Sequence, residues 1–444
     1  MWPHCCASHE QMSDPTPQVS SSGDGGVPVP ALRLLRWDDP AVVAVALVAL
    51  ASGFGQFGAV AALGDVAKGF GQVRHGATIA DQAGLSGTAL GIGLAIIRLA
   101  SLGALPIAGL ADRFGRRALL LGSAAGGLAL TAGASLSPSY WWFIAIFAFG
   151  RPLLSATNAV AEVSAAEQTG TDNRAKAVAL IAAGYGVGAG LTAVLHGLFL
   201  GVLGFRGLFA LALIPLVLLP ALRRRVTEPD RFEIEAAKTD HPLPVLGAVG
   251  PEFRRRLAIM AAMAFSVSLI TGPATSFVFL YAQNILRVPG YTTAAMVVGA
   301  GLAGLGGLVL GQWLADHRGR RPTVTIGIVG IGCFGFLSYT GSTAALLCGY
   351  IFGVLAGSVL APGIGSLLNE LFPTSVRSSV SGWWVAAGVI GAAAGLIAFG
   401  AIADVGNEFG LAALIIFLPA SAAVALLLCL VPETRGREPE QLWP

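Results

Sequence analysis

The chain is a succession of long apolar runs separated by short charged connections. Runs of about 20 residues, enough for a helix to cross a bilayer, lie at roughly 40 to 63, 85 to 110, 118 to 137, 141 to 165, 175 to 200 and 203 to 222. Six more follow at roughly 257 to 282, 291 to 315, 323 to 340, 343 to 367, 381 to 403 and 410 to 431. These runs are continuous, not alternating, so they predict helices and exclude a β-barrel, the other way to satisfy a backbone in lipid. The expected fold is an all-α membrane protein with twelve transmembrane helices in two six-helix bundles.

Composition agrees. Hydrophobic residues make up 55% of the chain and charged residues 11%, against about 45 to 50% and 25% in soluble domains. The 60 glycines suit helices packed closely through small residues. Of 27 Lys and Arg residues, 21 fall in the tails and even-numbered connections, which predicts cytoplasmic termini in a plasma-membrane protein. The predicted organisation is a disordered tail over 1–38, a first bundle over 39–222, a linker over 223–256, a second bundle over 257–432 and a tail over 433–444. The first tail holds no apolar run that could act as a cleaved signal, and Met12 is an alternative start. The five cysteines have no disulfide or metal spacing, and no cofactor is expected.

The charges repeat. GLADRFGRR from Gly109 to Arg117 returns as LADHRGRRP from Leu314 to Pro322, with Asp112 and Asp316 separated by 204 positions. Glu167 and Arg174 return as Glu370 and Arg377, each shifted by 203, and Glu228 returns 205 later as Glu433. A signature repeated at nearly half the length marks two related halves.

Polar groups inside the spans are the candidates for chemistry. Gln56 is the strong polar group of span one, either interhelical glue or a solute contact. Arg98 in span two lies about 16 Å from the cytoplasmic end, too deep for its side chain to reach water past the lipid. Span four carries Arg151, Ser155, Asn158 and Glu162, whose spacing puts the other three within about 40° of Arg151, on one helix face. Such a stripe lines something. Arg151 and Glu162 are about 16 Å apart and cannot pair. Gly272 and Pro273 predict a break in span seven, with Ser276, Tyr281 and Gln283 downstream. GYGVGAG at Gly184 and GAGLAG at Gly299 read as helix packing, since no strand precedes them to make a nucleotide site. His196 reads as a helix contact before a pH sensor.

These motifs resemble the major facilitator superfamily of secondary transporters over about residues 39 to 437, closest to its sugar porter and metabolite symporter branches. The carriers are AGLADRFGRR, QWLADHRGRR, ELFPTSVR from Glu370, PETRG from Pro432 and VTEPDRF from Val226. Departures are Ala108 and Gln312 at the leading glycine positions and His317 for an arginine. The resemblance implies a cytoplasmic gating network, with ion pairs and helix-end contacts between the bundles, of Asp112, Arg116, Arg117, Glu167, Arg174, Asp316, Arg320, Arg321, Glu370 and Arg377. Drug-antiporter and sugar-porter markers of spans four, five, seven and ten are absent.

The expected function is secondary transport of a small organic solute by alternating access, with Arg98, Arg151, Asn158, Gln56 and Tyr281 as substrate-binding candidates. Two arginines without a carboxylate at mid-membrane favour an anionic metabolite. The resemblance adds possible coupling to protons, for which Glu162 is the candidate. Drug efflux and a non-transporting sensor are the alternatives. No apposed catalytic groups suggest an enzyme, and the expected partners are solute, bilayer and protons, for a monomer that binds no nucleic acid.

Overall fold

The structure is a computed structural model that describes residues 34–74, 76, 78–229 and 250–437. The tail up to residue 33, linker positions 230–249 and the last residues from 438 lie outside the described residues. In chain order the long helices are α1 (Pro40–Ala61), α2 (Gly87–Gly109), α3 (Arg116–Leu136), α4 (Tyr140–Gln168), α5 (Asn173–Phe199) and α6 (Gly204–Arg223). The second set is α7 (Pro251–Ile285), α8 (Gly290–Arg318), α9 (Arg320–Leu337), α10 (Thr343–Glu370), α11 (Ser379–Gly406) and α12 (Phe409–Leu428). All but α9 are long and apolar enough to cross a membrane. Twelve such crossings were expected over the full lengths read from the sequence. α9 is the exception because Arg320 and Arg321 occupy its first turn and shorten its apolar part. The protein is a multi-pass integral membrane protein.

Packing repeats with a shift of six helices. α1 lies on α5 as α7 lies on α11, α2 on α4 as α8 on α10, and α3 on α6 as α9 on α12. Glycine makes the closest of these contacts. A Cβ at Gly184 or Gly188 would strike the α1 carbonyls of Ala46 or Leu50, and one at Gly391 or Gly395 those of Phe265 or Leu269. The glycine run of span five is therefore a packing surface. Gly307 and Gly311 bring α8 against α10 in the same way.

The halves meet where α2 crosses α11 and α5 crosses α8. Among the described residues, every hydrogen bond between the halves lies at the face opposite the two charged motifs. Asp404 at the end of α11 accepts from Gly87 N at 2.7 Å, Thr88 N at 2.8 Å and the Thr88 hydroxyl at 2.6 Å. Asn407 accepts from Ile79 N. Gln283 and Asn284 donate to the carbonyls of Ala61 and Gly64.

Span seven is not broken at its proline. α7 runs helically through Gly272 and Pro273 and loosens only at a π turn, Tyr281–Ile285. Pro273 leaves the Leu269 carbonyl without its helical donor, and Gly395 of α11 packs directly on that carbonyl. The Tyr339 hydroxyl holds the Pro273 carbonyl at 3.3 Å.

Candidate functional site

The repeated motif comes first, because it shows what the charges do. Gly115 (φ +90°) and Gly319 (φ +108°) turn the chain sharply into α3 and α9, a conformation that favours glycine. The turn aims the first N–H groups of the new helix at a carboxylate from far along the chain. Glu228 accepts from Arg116 N and, at 3.0 Å, from Arg117 N. Glu433 accepts from Arg320 N at 2.9 Å and Arg321 N at 3.0 Å. Each glutamate thus supplies a negative charge where the helix dipole favours one.

Arg116 grips Glu167 through Nε and Nη2, both at 3.1 Å, and Arg320 grips Glu370 with its shortest contact at 2.8 Å. Asp316 is 3.8 Å from Arg320, Arg117 donates to the Arg223 carbonyl, and Arg377 donates to that of Asn369. Arg174 Nε is buried without a partner, and the Asp112 side chain lies outside the described residues. These pairs join helices within one half. The expectation that such pairs bridge the two bundles is corrected for those described: Arg116–Glu167 lies within the first half, and Asp316–Arg320 and Arg320–Glu370 lie within the second.

A cavity of about 190 Å³ lies between the halves, lined by Gln56, Phe57, Arg98, Arg151, Tyr185 and Ser276 among others. A second, of about 420 Å³, shares Arg98 and Thr275 with it and adds Ser268, Thr271 and Trp384. Arg98 stands between the two. Its helix tightens into a 3₁₀ turn at Ser101–Gly103, where the Ser101 hydroxyl takes up the Arg98 carbonyl. Arg151 Nη1 donates to the Gln56 carbonyl at 3.1 Å, while its Nε is buried without a partner.

Gln56 is held in turn. Its amide donates to Ser52 Oγ at 2.9 Å and accepts from Ser155 at 3.4 Å, and Ser52 donates to the Leu154 carbonyl. It therefore both ties α1 to α4 and lines the cavity. Neither cavity is lined by a carboxylate, and among the described residues neither Arg98 nor Arg151 forms an ion pair. Two guanidinium groups at one partly desolvated site carry an electrostatic cost that an anion would relieve. Ser276 Oγ is buried there without a partner.

Other sequence candidates fall elsewhere. Asn158 is half-buried two turns along α4, with Oδ1 unpartnered, and does not line either cavity. Glu162 is exposed one turn further. Tyr281 is outside the cavity: its ring packs tilted against Tyr339 and edge-on to Phe409, ring centroids 5.1 and 5.5 Å away, and lines a separate pocket at the opposite face. Tyr185 and Trp384 were not singled out from the sequence, because nothing in a lone aromatic residue says which neighbour it faces.

The Major Facilitator Superfamily family model matches residues 45–354 and 305–442. The gallate transporter of Pseudomonas putida is 25% identical over 76% of this chain and 80% of its own length. The cis,cis-muconate transport protein of Acinetobacter baylyi is 25% identical over 72% and 81%. Matches to the first curated relatives span 66% and 87% of those proteins. The inward open structure of the xylose transporter XylE from E. coli is similar in fold, with a TM-score of 0.69, 20% identity and coverage of 91% of this chain and 99% of that one. With nearly all its described length inside the family match and its helices paired in two repeated sets, the chain belongs to the Major Facilitator Superfamily.

Proposed function

We propose that the protein carries a small organic carboxylate across the plasma membrane by alternating access, with Arg98 and Arg151 binding the anion. The observation that carries this reading is the pair of guanidinium groups in one cavity system without a carboxylate. Planar guanidinium groups match carboxylates in two-point geometry. Phe57, Tyr185 and Trp384 on the same walls offer faces to an unsaturated or aromatic skeleton. Gallate and muconate, named for the relatives above, are anions of that kind.

The Lys and Arg distribution supports cytoplasmic termini and a cytoplasmic motif face. On that assignment the bonds between the halves close the external side, and the cavity communicates with the cytoplasm. The motif charges would then act by fixing each half as a rigid body, and the protein is read as a monomer.

The test is uptake by the purified protein in proteoliposomes, with labelled gallate and muconate, with and without an imposed proton gradient. Arg98→Gln and Arg151→Gln should each raise KM about tenfold to a hundredfold, as expected for one lost hydrogen bond to a charged group. Normal uptake by both variants would refute the anion site.

A further inference from the structure

Outside the cavity, one buried titratable group sits in a contact between the halves. His196, near the end of α5, is 3% exposed. Its Nε2 is 2.8 Å from Asp65 Oδ2 on the short helix Leu63–Phe70 that follows α1. Its Nδ1 is 3.4 Å from Gln283 Nε2, in the π turn of α7. The same Gln283 nitrogen donates to the Ala61 carbonyl at 3.3 Å, a bond from the second half to the first.

The donor and acceptor inventory fixes the protonation state this arrangement requires. Ala61 offers only a carbonyl, so Gln283 must present its NH₂ there. That NH₂ cannot accept, so Nδ1 of His196 must be the acceptor and carry no proton, leaving Nε2–H to donate to Asp65. A protonated His196 would have N–H on both ring nitrogens. Nδ1–H would then face the NH₂ of Gln283, donor against donor.

Relief is available by turning the Gln283 amide over. Its Oε1 is buried without a partner, as is Asn284 Oδ1. Both oxygens face Gly64, where a Cβ would lie 2.8 Å from the first and 2.5 Å from the second. Turned over, the amide accepts from Nδ1–H, brings its N–H toward Asn284 Oδ1, and sets oxygen against oxygen at Ala61. Of the two contacts this amide makes across the halves, the one to Ala61 is replaced by a repulsive oxygen pair.

We propose that His196 is the proton-binding residue of an external latch, in which protonation breaks the Gln283–Ala61 contact and favours opening of this face. The rearrangement has two arrangements of one side chain and one proton to choose between them, which is what a switch requires. In the protonated form Nε2–H still donates to the Asp65 carboxylate, which offsets the charge of the imidazolium.

Other charged groups on the surrounding elements are otherwise engaged or point away. Lys68 and Arg287 are exposed. Arg206 donates to the carbonyls of Ser135 and Ser137, and Asp81 is bonded to Thr78. Tyr140 bonds the Ala89 carbonyl, and Glu408 borders the Tyr281 pocket. The first turns of α8, against the end of α5, bring Tyr291 and no charged residue.

Double electron–electron resonance tests the latch without reference to the solute, so its failure is separate from failure of the anion site. Nitroxides would be placed at Val73→Cys in the first half and Tyr291→Cys in the second, both exposed. The background replaces the five native cysteines, and the full chain is held in nanodiscs. If opening takes up one proton, the open-to-closed ratio rises up to about tenfold for each unit the pH falls. His196→Gln should remove the dependence, and Gln283→Leu should favour the open form at every pH. Distances in the parent that do not change between pH 8 and 5 overturn the proposal, with no variant needed. So does an unchanged pH response in a folded His196→Gln protein.

Discussion

The contact with the greatest leverage over the closed face is Asp404. Its carboxylate takes three hydrogen bonds from the first turn of α2, two from backbone N–H and one from the Thr88 hydroxyl. It also places a negative charge at the positive end of that helix. Asp404→Asn keeps the shape, removes the charge, and turns an NH₂ toward one of the donors. A hydrogen bond to a charged group contributes about 1.5 to 3 kcal/mol net, and a neutral one about 0.5 to 1.5. One bond lost and the other two weakened therefore cost at least about 2 kcal/mol, or roughly a 30-fold shift toward the open form. These net figures already include the water that replaces the contacts when the face opens. The same spin-label pair, without solute, reads the ratio directly. Thr88→Val removes the hydroxyl bond alone, at least about 1.5 kcal/mol for a bond to a charged group, and should shift the ratio about tenfold or more. A ratio within twofold of the parent in Asp404→Asn would show that this carboxylate does not hold the face closed.

The motif loops give two further outcomes. Gly319→Ala forces φ +108° on an alanine and sets its Cβ 2.9 Å from Glu433. Thermal unfolding should show a loss of about 1 to 3 kcal/mol, while Gly436→Ala (φ +72°, with no neighbour within 4 Å) should lose less. At Glu433, burial pushes the carboxyl up, but backbone N–H groups of Arg320, Arg321, Arg435 and Thr434 outweigh burial and hold it below its ordinary value of 4.5. Its stabilising effect is present above that value and is lost as pH falls through the lowered one. Glu433→Gln should therefore melt below the parent at pH 7, by a margin that shrinks toward pH 3.

Long periodic features were legible in the sequence and paired features were not. The twelve apolar runs, the halves and the depth of Arg98 and Arg151 follow from residue order and helix rise alone. Glu228 and Glu433 were visible as a repeat, but their partners are backbone N–H groups more than a hundred residues away, and backbone leaves no mark in a sequence. Tyr281 was misplaced because, five residues past the cavity-lining Ser276, it lies about 140° around α7 and about 7.5 Å nearer the opposite face. Pro273 suggested a break because Gly395, the residue that covers the freed carbonyl, is far along the chain. Asp65 and Asp404 belong to no motif in the sequence, and their roles appear only when α2 is set against α11 and α5 against α8.

The same repeat separates scaffold from function at the closed face. Gly87 meets Gly400 where α2 crosses α11, and Gly290 meets Gly197 where α8 crosses α5. The shift of 203 that relates Glu167 to Glu370 also carries Gly87 to Gly290 and Gly197 to Gly400. The two crossings are thus one backbone solution used twice, each with glycines where a Cβ on either would meet the other's carbonyl. Their side chains have diverged. Position 404 is an aspartate, and its counterpart, 201, is a glycine; position 196 is a histidine, and its counterpart, 399, is a phenylalanine buried in the aromatic cluster. Packing alone would not distinguish the two crossings. The aspartate lock at one and the histidine at the other do, and they assign opening of this face to the strength of a fixed ion contact on one side and the protonation of an imidazole on the other.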